Sequence, residues 1–257
     1  MEVISVINLK GGVGKTYTAY NMAYELDKRG YKVLCFDNDK QGNLSKALGK
    51  YAETGISEAA RVLAGQWDRP EEVIKRTDAR HGAIDIVPAN MSLLAATYQI
   101  TEDQQAEQHT RYKALLETVR EAYDFVIIDN PPDIALNVVN ALAATDKVIV
   151  PVKIDEWALE GLDIIADQIR EAKALKTDIE LLGVLVTMYK NNDTNVAGIE
   201  WLENKSKIKV LGKIRYTEKA PESTFFGQPA YVYSPRCGAA QDYKKFVTKF
   251  LEEREGK

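Results

Sequence analysis

A chain of 257 residues that is 45% hydrophobic and 28% charged has an ordinary globular balance, and it is long enough to bury a sheet between two helix layers. It shows no repeat, low-complexity tract, signal-peptide pattern or apolar run of membrane length. Cys35 and Cys237 form neither a metal cluster nor a disulfide framework, so they read as a core residue and a bystander, and one cytoplasmic domain over 1–257 is expected.

The first element is an apolar run, Val3 to Ile7, read as a strand; helical periodicity begins at Tyr17 and runs to Leu26. Between them lie Lys10, Gly11, Gly12, Val13, Gly14, Lys15 and Thr16. Glycines let the backbone wrap a phosphate with several N–H groups pointing inward, and the helix behind adds its partial positive end. In this pattern Lys15 reaches the β- and γ-phosphates and the Thr16 hydroxyl holds Mg²⁺, with Tyr17 next in the first turn. The full G-x-x-x-x-G-K-[ST] pattern would need glycine at position 9; this chain has Leu9 followed by a second lysine, Lys10. The loop therefore resembles the deviant P-loop of the ParA/MinD family of ATPases, and the resemblance implies that Lys10 crosses to the nucleotide of a dimer partner.

After a basic last turn and the stop at Gly30 comes a strand, Tyr31 to Asp37, whose buried run ends in an acid. Ligands of parallel sheets sit beyond the carboxyl ends of strands, which makes acids there site candidates, although turn chemistry is the plainer reading of either one alone. Asp37-Asn38-Asp39-Lys40-Gln41-Gly42-Asn43 is similar to the D-x-D-P-Q-G-N motif of ParA proteins. That implies a water-positioning role for Asp39 and a place near the metal for Asp37. Lys40 replaces the family's proline; it is expected either to pair with Asp39 or to touch the γ-phosphate, altering hydrolysis.

Ser57 reads as the cap of a helix reaching Ala64, Ile84 to Asn90 as a strand and turn, and Met91 to Ile100 and His109 to Tyr123 as helices, the second with Tyr112, Leu115, Leu116 and Val119 on one face. His81 and His109 stand alone. Asp124 to Asp129 is an apolar strand delivering a carboxylate towards a Mg²⁺-bound water; with Asn130-Pro131-Pro132 it resembles the family's Walker B motif, Asn130 being a departure. A helix (Ile134 to Ala143) and a strand (Lys147 to Val150) follow. The segment from Pro151 to Leu162 resembles the family's dimer-face segment and opens a helix with Ala158, Leu162, Ile165, Ile169 and Ala172 on its core side; Ile179 to Met188 is a further strand. Buried strands alternating with helices imply a mainly parallel twisted sheet with helices on both faces, and the motifs make it the three-layer P-loop NTPase fold.

Net charge is −4, yet between Asn204 and Phe250 ten Lys or Arg meet three acids, a +7 segment in a chain whose remainder carries −11. The region from Ile214 to Tyr231 is similar to the ParA C-terminal region, whose loops help hold adenine, which implies nucleotide contacts at Arg215 and Pro221; Lys219-Ala220-Pro221-Glu222 stands where the family has E-A-P-S. In the last helix Tyr243, Phe246, Val247, Phe250 and Leu251 form the apolar stripe, so Lys244, Lys245 and Lys249 project outward and, with Lys205, are candidate contacts to DNA phosphates. A solvated face is the plain alternative.

The resemblance spans nearly the whole chain. It implies a Mg²⁺-dependent ATP hydrolase for plasmid or chromosome partitioning, binding ATP/ADP, with Lys10, Lys15 and Asp39 as its catalytic set and Thr16, Asp37 and Asp129 at the metal. Its implied partners are a second copy in the ATP state, non-specific DNA on the nucleoid, and a ParB-like or small adaptor protein. The alternatives are a positioning ATPase for protein cargo and a membrane-cycling regulator like MinD; the acidic stretch Leu251 to Lys257 lacks the amphipathic character of a stable membrane anchor.

Overall fold

The computed structural model describes residues 1–77, 82–102, 108–154, 178–206 and 208–256, without the side chains of 205 and 206. His81, Lys207, the side chain of Lys205 and the helix expected over 158–172 lie outside the described residues. Eight strands, β1 (Glu2–Val6), β2 (Val33–Asp37), β3 (Lys75–Arg76), β4 (Asp85–Val87), β5 (Phe125–Asp129), β6 (Lys147–Lys153), β7 (Glu180–Tyr189) and β8 (Val210–Arg215), form one sheet in the order β3-β4-β2-β5-β1-β6-β7-β8. Every pairing is parallel except β3 with β4. Among the described residues the α-helices are α1 (Lys15–Asp27), α2 (Asn43–Ala47), α3 (Glu58–Ala64), α4 (Pro70–Val73), α5 (Ser92–Glu102), α6 (Arg111–Thr118), α7 (Leu136–Ala144), α8 (Asp193–Trp201), α9 (Lys219–Phe225), α10 (Ala230–Tyr233) and α11 (Gly238–Arg254).

The continuous apolar strands follow from burial on both faces. Val33 and Cys35 point into the layer built by Met22 and Leu26 of α1 and Tyr243, Phe246 and Phe250 of α11. Leu34 and Phe36, one residue out of phase, point the opposite way, onto Leu63 of α3, Leu93 of α5, and Tyr112 and Leu115 of α6. The helix expected from His109 to Tyr123 is shorter, Arg111–Thr118, because the chain turns at Ala122, whose N–H reaches Val119 O, to bring Asp124 N–H to Lys32 O at the foot of β5. β6 runs past its expected end at Val150 to Lys153. Pro151 is tolerated there because pairing with β1 stops at Val6 and Ile149; beyond it the Asn8 amide donates to Pro151 O at 2.8 Å.

The Ser57 hydroxyl accepts from Ala60 N–H at 3.4 Å and opens α3. Cys237 is more than a bystander, since its Sγ accepts from Ala240 N–H at 3.5 Å at the start of α11. Gly42, which precedes α2, has φ of 62°, and a Cβ there would lie 2.6 Å from Ala89 O and from the Tyr51 ring. Gly42→Ala is therefore expected to lower unfolding free energy by about 2 kcal/mol or more, read from urea denaturation.

The registers place the site. Val6 and Asp37 both pair with Asp129, so β1, β2 and β5 end level at the sheet centre. The loops that leave them open on one edge, where α1 also begins.

Candidate active site

The loop from Lys10 to Gly14 wraps the first turn of α1. Gly12 (φ 71°) and Gly14 (φ 84°) take left-handed backbone that other residues rarely adopt. Lys10 N–H donates to Asn8 Oδ1 at 2.9 Å, and the Lys15 ammonium donates back to Lys10 O at 3.0 Å, closing the loop into a ring. Lys15 is buried; burial lowers its pKa, opposed by the nearby carboxylates of Asp129, Asp39 and Asp133. Val13 is buried beneath the loop, with its carbonyl accepting from the Thr187 hydroxyl at 2.8 Å.

Facing the loop are three acids from two strand ends. Asp37 is fully buried: its Oδ2 accepts from Ser45 N–H at 2.8 Å and the Ser45 hydroxyl at 2.6 Å, and its Oδ1 from Asp39 N–H at 3.1 Å. Burial pushes its pKa up to about 7 despite those donors, with the Asp39 charge adding to the rise. Asp129 is equally buried, and neither carboxylate oxygen has a hydrogen-bond partner among the described residues. Its pKa is raised well above the usual value by burial first and Asp37 second; the Thr16 hydroxyl and Lys15 oppose the rise. An orphaned buried carboxylate costs free energy unless something cationic meets it. With the Thr16 hydroxyl beside it, the donor set is hard oxygen, which suits Mg²⁺. Among the described residues no cluster of three or more His, Cys, Asp or Glu could hold a metal, so the protein's share of such a site is small, as is usual for an ion that keeps waters and phosphate oxygens.

The cleft in front of these groups has a volume of about 750 Å³. Gly11, Gly12, Gly14, Lys15, Thr16 and Tyr17 form its floor, Asp39, Gln41 and Pro132 one wall, and Thr224, Phe225 and Gly227 the other. Arg215 and Pro221 are not part of this lining: the Arg215 guanidinium is held by Asp242 at 2.7 and 2.8 Å, and Pro221 is exposed on α9. In their region the cleft instead meets Phe225, whose ring is 84% exposed. The adjacent pair Phe225-Phe226, two large apolar residues in a segment without an apolar stripe, was the available signal. Tyr17 ties the two sides together through its hydroxyl and that of Ser223, 3.0 Å apart, and burial pushes its pKa up to about 12. Lys244, Lys245 and Lys249 are exposed on the outer side of α11, away from this lining.

Two further features lie behind and beside the acids. Asn38, Asn130, Asn137 and Tyr112 form a buried polar cluster: the Asn38 amide donates to Asn130 Oδ1 at 2.9 Å, while the Tyr112 hydroxyl and the Asn137 amide donate to Asn38 Oδ1 at 2.7 and 3.2 Å. The Asn130 amide also reaches Val6 O at 3.3 Å, so this departure from the motif joins three strand ends. Lys40 pairs with neither Asp39 nor open cleft; its ammonium lies 2.9 Å from Asp133 Oδ2 on the loop after β5.

A family described as an AAA domain matches residues 1–181. The sporulation initiation inhibitor protein Soj of Bacillus subtilis is 34% identical over 247 residues, which cover 94% of this chain and 95% of that one. The chromosome-partitioning ATPase Soj of Treponema pallidum is 30% identical over 254 residues, 97% of each chain. Among solved structures, a cobyrinic acid a,c-diamide synthase of Mycobacterium smegmatis with bound ADP and magnesium is 27% identical, with a TM-score of 0.86 over 100% of this chain and 97% of that one. That last name shows that likeness of fold alone does not select a reaction; the site must.

Proposed function

This chain belongs to the ParA/MinD superfamily of P-loop ATPases, and from that premise we propose that it is a Mg²⁺-dependent partitioning ATPase, one domain over 1–257, which dimerises around ATP, holds DNA non-specifically and lets go on hydrolysis. The observation that carries the reading is the convergence, at one sheet edge, of a phosphate-cradling loop with Asp37, Asp39 and an orphaned Asp129. The loop amides and Lys15 bind the β- and γ-phosphates of ATP. Thr16 and Asp129 hold Mg²⁺, with Asp37 behind them. Once bound, the ion supplies positive charge to the phosphate oxygens. Asp39, buried at the cleft wall and fixed through its neighbours' backbone, orients the attacking water. Phe225 offers a flat face to the adenine. Catalysis here is positioning and electrostatics, with no covalent step on the protein.

Lys10 reaches the partner subunit's phosphates, so the γ-phosphate is itself a dimer contact and its loss loosens the pair. The exposed lysines of α11 supply the DNA contacts, in a cytoplasmic protein that gathers on the nucleoid while ATP is bound. A ParB-like or small adaptor protein stimulates release. Binding to arbitrary duplex DNA, measured with no nucleotide, ADP, ATP and a non-hydrolysable analogue across a salt series, tests the cycle. DNA binding should appear only with ATP or the analogue and weaken steeply with salt. Lys10→Ala should still bind ATP as a monomer but form neither dimer nor DNA complex. DNA binding in no state would overturn the partitioning reading; normal ATP-driven dimerisation of Lys10→Ala would overturn the trans role of Lys10.

A further inference from the structure

The residue at position 40 departs from the family motif, and its position in the fold gives it work to do. Asp39 is flanked by two residues that are each tied to the same opposite loop. On one side the Asn38 amide donates to Asn130 Oδ1 at 2.9 Å, within a fully buried cluster. On the other side Lys40 reaches Asp133 Oδ2 at 2.9 Å, with the two side chains 31% and 40% exposed. The first tie cannot exchange with water without exposing four buried polar groups; the second can open in place. Asp39 thus sits on a short span anchored at both ends to the loop that also carries Asn130 and follows Asp129. One anchor is permanent, the other breakable.

We propose that the Lys40–Asp133 ion pair is a positioning latch for Asp39, closing the loop after β2 onto the loop after β5 so that the carboxylate keeps its aim into the cleft. Neither residue touches substrate; both act through Asp39. The inference rests on the reading of Asp39 as the group that orients water. It also sets a scale, because a partly exposed pair is worth at most about 1 kcal/mol, which is about fivefold in a rate.

The test uses Lys40→Met, Asp133→Ala, the two combined, and Lys40→Arg. Both single variants should lose about three- to fivefold in kcat for ATP, and Lys40→Met should leave KM unchanged because it alters neither the phosphate-binding loop nor the carboxylates near Lys15. The double variant should lose no more than either single one, since the latch is one interaction counted twice. Lys40→Arg, which keeps the charge, should retain wild-type kcat. A second readout is independent of turnover: the Gln41 amide donates to Asp39 Oδ1 at 2.9 Å, and its hydrogen exchange should quicken about three- to fivefold in both single variants. Unchanged Gln41 exchange, or losses that multiply in the double variant, would overturn the latch. A wild-type protein that hydrolyses no ATP would overturn the ATPase reading instead, while the exchange measurement would still decide whether the latch exists.

Discussion

Lys15→Ala is expected to lower ATP turnover by about 10³-fold and to abolish tight ATP binding, while leaving the fold intact. The size of the effect follows from what the ammonium faces. Lys15 sits at the ring closed by Lys10 O, with the loop amides around it, in a cleft lined by the acid Asp39 and within electrostatic reach of the buried Asp129. Without its charge, a triphosphate would meet the nearby carboxylates of Asp39 and Asp129 with Lys46 left as the cation of the cleft lining. The effect on folding is expected to be small for a related reason. The Lys15 pKa is lowered, so burial outweighs the three nearby carboxylates and the charged form is less favoured than it is in water. A group held against its own preference is a cost kept for binding, and removing it should shift the urea unfolding free energy by less than about 1 kcal/mol. Turnover, fluorescent ATP-analogue binding and urea denaturation on the same preparation decide the matter. Turnover within tenfold of wild type would refute the assignment; lost turnover with a collapsed unfolding midpoint would make Lys15 structural.

Most of this site is legible in the sequence because its parts are short, local and punctuated. A glycine-rich turn between an apolar run and a helix, and acids closing two apolar strands, can be read from spacing alone, and parallel pairing then brings them together. What spacing does not carry is any relation across the chain. Asn38 and Asn130 are 92 positions apart, and Lys40 and Asp133 are 93, so nothing local announces either pairing. Lys40 is expected to pair with Asp39 or to touch the γ-phosphate, but it sits in a turn and its ammonium reaches Asp133 on the other loop. The cleft's far wall behaves in the same way. The family resemblance implies a nucleotide contact at Arg215, yet Asp242, one turn into α11, accepts from its Nε and Nη2, and Phe225 lines the cleft instead. Charged residues are hard to place from sequence because their partner decides their role.

The orphaned acid makes the other large prediction. In the nucleotide-free, Mg²⁺-free protein Asp37 has a pKa of about 7 against the ordinary 3.8, and Asp129 is also raised well above 3.8. Between about pH 4 and pH 7 the folded chain therefore binds more protons at these positions than the unfolded chain, and their contribution to stability falls as pH rises through that window. Other carboxylates in the chain, such as Glu222, whose pKa the Lys219 and Tyr233 side chains lower, favour the opposite slope, so the comparison that isolates the buried pair is wild type against Asp129→Asn. Asparagine resembles the protonated acid in shape and charge, and it removes the cost of keeping a proton, or a second negative charge, in the core. At pH 7.5 the variant should be more stable than wild type, and the advantage should vanish towards pH 4. Saturating Mg·ATP should reverse the order, because only the wild-type carboxylate gains a cation on binding, and ATP turnover of the variant should fall by 10²-fold or more, by analogy with the loss of one preorganised group elsewhere. Urea denaturation at pH 4, 5.5 and 7.5, with and without Mg·ATP, reads all of this. An Asp129→Asn protein less stable than wild type at pH 7.5 would mean that the carboxylate is ionised and held by Thr16 and Lys15 without the metal, and the argument that its isolation prepares a place for Mg²⁺ would fail.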